Sequence, residues 1–255
     1  MDLQLEKKSV LITGGSEGIG FSVAKAFAAE GANLHLVSRS KDKLENARAE
    51  ILKAADVEVL VHPYDLSVSE NIEQLANECS GVDILINNAG AVPGGDITMP
   101  EETWRAAWDL KVYGYINMIR AFYPEMEKRK SGVIINIAGT AGERPGFGFL
   151  AGAAGNAAVM ALSRGLGSRS IDNGVRVLTV NPGRTNTKRM EELQKAEADR
   201  LYGDNRRWRE LLADLPVKRA AGPDEVADLV VFLSSCRAAY INATVITIDG
   251  GATQR

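Results

Sequence analysis

A chain of 255 residues, 45% of them hydrophobic, is long enough to bury one large α/β core. Its formal net charge of −3 lacks the basic footprint of a nucleic-acid binder, so no nucleic-acid partner is expected. Two cysteines, Cys79 and Cys236, stand far apart with neither disulfide nor metal spacing, which predicts no metal and a reducing, cytoplasmic setting.

Residues 1–8 mix acidic and basic side chains without an apolar run, unlike a signal peptide. A candidate strand at 10–13 feeds residues 13–20, Thr-Gly-Gly-Ser-Glu-Gly-Ile-Gly. Ala24, Phe27 and Ala28 then recur at i, i+3, i+4 as one face of a helix that ends at Gly31. A strand feeding a glycine-rich turn that opens a helix makes a site for a nucleotide pyrophosphate. The glycines let the backbone approach the ligand, and the helix N-terminus offers free N–H groups and a positive dipole end.

Further candidate strands lie at 34–37, 57–61, 84–86, 133–137, 175–180 and 245–248. Helical patterns separate them, such as Leu44, Ala47, Ile51 and Leu52, or Ile72, Leu75 and Ala76. This alternation predicts right-handed crossovers and a doubly wound parallel sheet with helices on both faces, in one domain over 1–255. Ligands of such sheets bind outside the carboxyl ends of the strands. The uncharged stretch 145–163 is too rich in glycine and alanine for a bilayer span, so a buried helix packed through small residues is expected, and no membrane partner. Residues 188–216 form a polar, helix-prone insertion anchored by Trp208, Leu211 and Leu212. Its Arg200, Arg206, Arg207 and Arg209 alternate with Glu191, Glu192, Asp199, Asp204 and Glu210. The pattern reads as a solvated helical face or as a mobile substrate lid that attracts an anion.

Three more motifs accompany the glycine turn: Asn87-Asn88-Ala89-Gly90 after the fourth strand, Asn181-Pro182-Gly183-Arg184-Thr185-Asn186-Thr187 after the sixth, and Asp249-Gly250-Gly251 near the end. In this order, over almost the whole chain, it resembles the short-chain dehydrogenase/reductase family. The resemblance implies a Rossmann-like sheet of about seven strands in the order 3-2-1-4-5-6-7. It also implies NAD(H) or NADP(H) as cofactor, a small carbonyl or alcohol substrate, and homodimers or homotetramers. Carried over, Gly14, Ser16, Glu17, Gly18, Ile19 and Gly20 line the pyrophosphate, and Asp65 and Leu66 hold the adenine. Asn88, Ala89 and Gly90 flank the ribose and the floor beneath the nicotinamide, and Thr187, beyond Pro182 and Gly183, meets the carboxamide. Each also reads as a turn or cap residue; Asp65, in Asp-Leu-Ser, reads as a helix N-cap. At the exit of the second strand, an NAD site places a carboxylate for the ribose 2′-OH, where this chain has Ser38 and Arg39. A guanidinium there favours the 2′-phosphate of NADP(H), while Glu17 in the glycine turn argues the other way, toward NAD(H).

In that family a tyrosine hydroxyl exchanges the proton, a lysine lowers its pKa and holds the ribose, a serine orients the substrate carbonyl, and an asparagine on an earlier helix anchors a water. By the same register the serine position holds Gly139, with Thr140 next, the tyrosine position Gly152, the lysine position Asn156, and the asparagine position Lys111. A glycine donates no proton, so the usual chemistry cannot run on these residues. Three readings follow. In the first, the chain is an oxidoreductase with a rebuilt site in which Lys111 polarises a carbonyl or acts as the acid, aided by Asn156 and by a hydroxyl of Thr140, Tyr113 or Tyr115. The second is a nucleotide-binding sensor without turnover, and the third a non-redox lyase or isomerase; fold alone does not choose. In the loop before the small-residue helix, Phe147 and Phe149 are candidate pocket walls. Arg144 is a candidate anion holder there, or pairs with Glu143.

Overall fold

The computed structural model describes residues 1–213 and 215–255. Seven parallel strands form one sheet: β1 (Ser9–Thr13), β2 (Asn33–Val37), β3 (Val59–His62), β4 (Ile84–Asn87), β5 (Gly132–Ile137), β6 (Val175–Pro182) and β7 (Val245–Ile248). Their order is β3-β2-β1-β4-β5-β6-β7, so the chain runs outward from β1 in both directions and creates a switch point between β1 and β4.

Alternation along each strand sorts side chains between two faces. Val10 and Ile12 of β1, Ile84 and Ile86 of β4, and Leu178 and Val180 of β6 meet α1 (Gly18–Ala29), α2 (Lys41–Leu52) and α8 (Pro223–Ser234) in one buried cluster. Leu11, Leu85 and Val177, of the opposite alternation, face α3 (Ser69–Glu78) and α5 (Gly114–Lys128) in a second. Both faces of the sheet are therefore covered. Strand β3 starts later than the hydrophobic run suggests, because the Glu58 amide donates to Asn33 Oδ1 rather than to the ladder, and it extends to His62. The apolar pattern also overreaches at Leu52, which is exposed at the end of α2.

Helices α4 (Glu101–Trp108) and α5 are joined without a break by a π-helical turn, Asp109–Tyr113. Such a turn widens the helix by one residue and re-aims the side chains on it. Just beyond it, a Cβ on Gly114 would lie 3.0 Å from the Leu66 carbonyl oxygen, so glycine lets α5 approach that loop closely. The uncharged stretch supplies the first two thirds of α6 (Leu150–Ser170), but residues 145–149 are the loop leading into it.

The polar insertion folds as α7 (Lys188–Tyr202), closed at Gly203 in the left-handed conformation, and a 3₁₀ stretch, Asn205–Leu212. Met190, Ala198 and Trp208 bury together and join the two. Among the described residues, four of its arginines pair within the insertion: Arg189 with Glu192, Arg200 with Glu197, Arg206 with Asp204, and Arg207 with Glu210; Arg209 stacks on Trp208. Asp214, inside the expected 188–216 lid, lies outside the described residues. Among the described residues, no helix is long and apolar enough to cross a membrane.

Candidate active site

The glycine turn sits at the exit of β1. Gly14 and Gly18 have φ of +66° and +58°, which side chains with a Cβ rarely adopt, and a Cβ on Gly20 would lie 2.2 Å from the Gly14 carbonyl oxygen. Glu17 precedes α1 in extended conformation and offers no side-chain cap, so the first N–H groups of the helix are left without one. Its carboxylate turns instead to Lys43 of α2, 2.8 Å away.

Thr13, which the sequence reading left out of the site, fastens this turn to the next strand exit. Its Oγ1 accepts from the amides of Asn88 (2.9 Å) and Ala89 (3.0 Å), and the Asn88 side chain donates back to the carbonyls of Thr13 (2.9 Å) and Gly14 (3.3 Å). A hydroxyl in the last residue of β1, next to a glycine turn, is the signal that marks it. From the far side of the sheet, Thr187 caps α7 by accepting the Met190 amide, and its methyl group lies 3.4 Å from where a Cβ on Gly18 would stand.

At the exit of β2, Ser38 is half-buried and Arg39 is exposed. Asp65, after β3, is not an N-cap: α3 begins at Ser69, and the Asp65 carboxylate instead closes a turn on the amide and hydroxyl of Ser67. Burial opposes its ionisation, but those two bonds and the charge of Arg39 hold its carboxyl below the usual range.

Lys111 lies on the π-helical turn and is 6% exposed. Its ammonium donates to the Ile137 carbonyl at the end of β5 (2.6 Å) and to the Tyr115 hydroxyl (3.0 Å), which itself donates to Ile137 (3.2 Å). The lysine stem runs along Gly90, where an added Cβ would lie 3.0 Å from Cδ. Burial without a counter-charge lowers the Lys111 ammonium to about 7, and burial pushes the Tyr115 hydroxyl up, so Tyr115 stays protonated. Tyr113, 54% exposed, faces away from this cluster.

Beyond β5, the Gly139 amide donates to Asn181 Oδ1 (3.0 Å), and Thr140 opens a short 3₁₀ turn. Asn156 is buried with its amide nitrogen 2.8 Å from where a Cβ on Gly139 would be, so its side chain fills the space of a residue-139 side chain. Likewise the Phe149 ring fills the space beside Gly152, at 2.1 Å from a Cβ placed there, and packs with Val92, Ala107 and Ala151. Phe147 projects into solvent. Glu143 and Arg144 go to separate partners: Thr247 donates to Glu143, and Arg144 donates to the Ala252 carbonyl.

The sheet exits therefore bring Gly14, Gly18, Asn88, Gly90, Lys111, Ile137 and Thr187 to one edge, as expected of a nucleotide site. Comparison with known proteins agrees with this geometry. A family model described as short chain dehydrogenase matches residues 8–198. The chain is 30% identical over 256 residues to a 3-oxoacyl-(acyl-carrier-protein) reductase of Chlamydia muridarum, covering 98% of this chain and 99% of that one. Among solved structures, it superposes on L-sorbose reductase from Gluconobacter frateurii, complexed with NADPH and L-sorbose, with a TM-score of 0.92, 31% identity and full coverage of both chains. It superposes on a 7α-hydroxysteroid dehydrogenase complexed with NADH and a 7-oxo bile acid with a TM-score of 0.89 and 27% identity, over 100% of this chain and 97% of that one. The chain belongs to the short-chain dehydrogenase family.

Proposed function

We propose that this protein is an NADP(H)-dependent oxidoreductase acting on a small carbonyl or alcohol, with a rebuilt site in which Lys111 replaces tyrosine as proton donor. The observation that carries the proposal is the buried ammonium of Lys111, held by Ile137 and Tyr115 against Gly90 with a pKa near neutrality.

The residues present fit a nicotinamide dinucleotide. The positive-φ glycines and the uncapped start of α1 make an anion cradle, and Thr187 overhangs it. Exposed Arg39 suits a 2′-phosphate, and the carboxylate of Glu17 is engaged by Lys43 rather than left to repel one. When bound, the cofactor supplies or takes the hydride. The chain must then orient the carbonyl and supply the proton. Two of the three N–H groups of Lys111 are used within the protein, leaving one for the carbonyl oxygen of a substrate. As negative charge develops on that oxygen, the ammonium stabilises it and gives up its proton, and a group with a pKa near 7 suits such transfer. Asn156 and the Thr140 hydroxyl, on either side of Gly139, are the groups that would orient the carbonyl.

Helix α7 with the 3₁₀ stretch is suited to serve as a substrate lid, tethered by Arg189, which donates to the Val92 carbonyl just after the Asn-Asn-Ala-Gly turn. The apolar groove between α5 and α6, lined by Ile119, Tyr123, Leu162 and Leu166, supports homodimers or homotetramers. A cytoplasmic location accords with the two unpaired cysteines.

A second reading, cofactor binding without turnover, is favoured by one observation: Phe149 and Asn156 fill the spaces next to Gly152 and Gly139. Titration with NADPH followed by assay over a panel of ketoses, cyclic ketones and 3-oxoacyl thioesters separates the two. Turnover lost in Lys111→Met with NADPH affinity retained supports the first, and binding with no hydride transfer to any acceptor supports the second.

A further inference from the structure

On the side of the sheet covered by α3, three ligand-type atoms converge that the site above does not use. His35 comes from the middle of β2, His62 is the last residue of β3, and Cys79 follows α3. His35 Nδ1 lies 3.1 Å from His62 Nε2, and Cys79 Sγ lies 3.3 Å from His35 Nδ1 and 3.5 Å from His62 Nε2.

We infer that His35, His62 and Cys79 form a zinc site. A tetrahedral zinc ion with Zn–N of about 2.0–2.1 Å and Zn–S of about 2.3 Å holds two nitrogens about 3.4 Å apart and each nitrogen about 3.5 Å from the sulfur. The observed triangle departs from those spacings by no more than about 0.3 Å, so one ion reaches all three atoms with little movement. The surroundings are arranged as for a metal ligand. His62 Nδ1 is 2.9 Å from Glu78 Oε2, and the Tyr64 hydroxyl donates to Glu78 Oε1 at 2.5 Å. That carboxylate draws the ring proton to Nδ1 and points the Nε2 lone pair into the triangle, as in a carboxylate–histidine–metal arrangement. Without an ion the two rings join by a hydrogen bond, His35 N–H to the His62 lone pair, which leaves the Cys79 S–H without a ring nitrogen to accept it.

Two nitrogens and one sulfur suit zinc more than magnesium or calcium. His62 and Cys79 are buried, while His35 is partly open to solvent, which gives a water access to the fourth coordination position. Burial, reinforced by the neighbouring ring, lowers His35 to about 4 and leaves it neutral; burial pushes the Cys79 thiol up to about 12, a cost that a divalent ion offsets by stabilising the thiolate. The ion would tie β2, β3 and α3 together through His35, two residues before Val37, and His62, which pairs with Val37, hence next to Ser38 and Arg39.

The test is titration of the chelator-treated full chain with cobalt(II), followed by displacement with zinc. One equivalent should produce a thiolate-to-cobalt charge-transfer band in the near ultraviolet, and zinc should abolish it. The band should vanish in Cys79→Ser, persist in Cys236→Ser, and persist in Glu78→Gln with affinity about ten- to a hundred-fold weaker. Circular dichroism checks that each variant is folded. A wild-type protein that gives no band, or a band of equal strength in folded Cys79→Ser, overturns the assignment.

Discussion

Phe149 occupies the volume that a side chain at residue 152 requires: a Cβ added to Gly152 meets Phe149 Cε1 at 2.1 Å and Cζ at 2.2 Å. The loop and the helix are thus fitted to one another at the position where the family resemblance expects tyrosine. Gly152→Ala should therefore forfeit the helix-propensity gain of about 1 kcal/mol that alanine ordinarily brings, and overpacking should turn it into a loss. In a Phe149→Ala background the same change should stabilise. A double-mutant cycle by urea denaturation should give a coupling of about 1–3 kcal/mol, and additivity of the two changes would show that the ring yields freely.

Lys111 makes stability depend on pH in a definite direction. An unfolded lysine keeps its proton up to about 10.5, whereas folded Lys111 releases it at about 7. Between those values the unfolded chain binds more protons, so this residue makes stability rise with pH across that window. Relative to Lys111→Met, the wild type should gain stability between about pH 6.5 and about pH 9.5 in urea melts. Parallel stability curves for the two proteins would mean the ammonium is not desolvated.

Arg39 should act on one cofactor only. A charged hydrogen bond of about 1.5–3 kcal/mol to a 2′-phosphate corresponds to roughly a ten- to hundred-fold weaker NADPH affinity in Arg39→Ala, with NADH affinity unchanged. Calorimetric titration of both cofactors reads this directly, and equal losses for the two would contradict the phosphate preference.

Thr13 supports the cofactor edge through a single oxygen that serves two amides. Thr13→Val keeps the shape but strands the N–H groups of Asn88 and Ala89, with an expected cost of about 1–3 kcal/mol. The urea midpoint should fall and cofactor affinity with it. Thr13→Ser should retain both, which distinguishes loss of the hydroxyl from loss of the methyl group.

Where the hydrophobic pattern is local, the sequence was sufficient. Val10 and Ile12 alternate with Leu11 in the chain, and they part to opposite faces of the sheet in the fold. The glycine turn was equally legible, because its backbone geometry excludes most other residues. The features that shape the chemistry depend on contacts between distant segments. Nothing in the apolar periodicity of 101–128 marks the π-helical turn that aims Lys111 inward. The fit of Phe149 against Gly152 depends on a loop conformation that no propensity encodes. His35, His62 and Cys79 have no motif spacing; parallel pairing of β2 with β3 and the end of α3 bring them together.

The central claim is that Lys111 gives the proton in carbonyl reduction, and the pH profile of kcat/KM for an accepted carbonyl substrate with NADPH tests it most directly. The wild type should hold its rate at low pH and lose it as pH rises through about 7, where the ammonium deprotonates. Lys111→Met should be slower by about 10²–10⁴-fold, should lack that limb, and should bind NADPH as tightly as the wild type. A Lys111→Met enzyme with wild-type kcat/KM and the same falling limb would contradict the account.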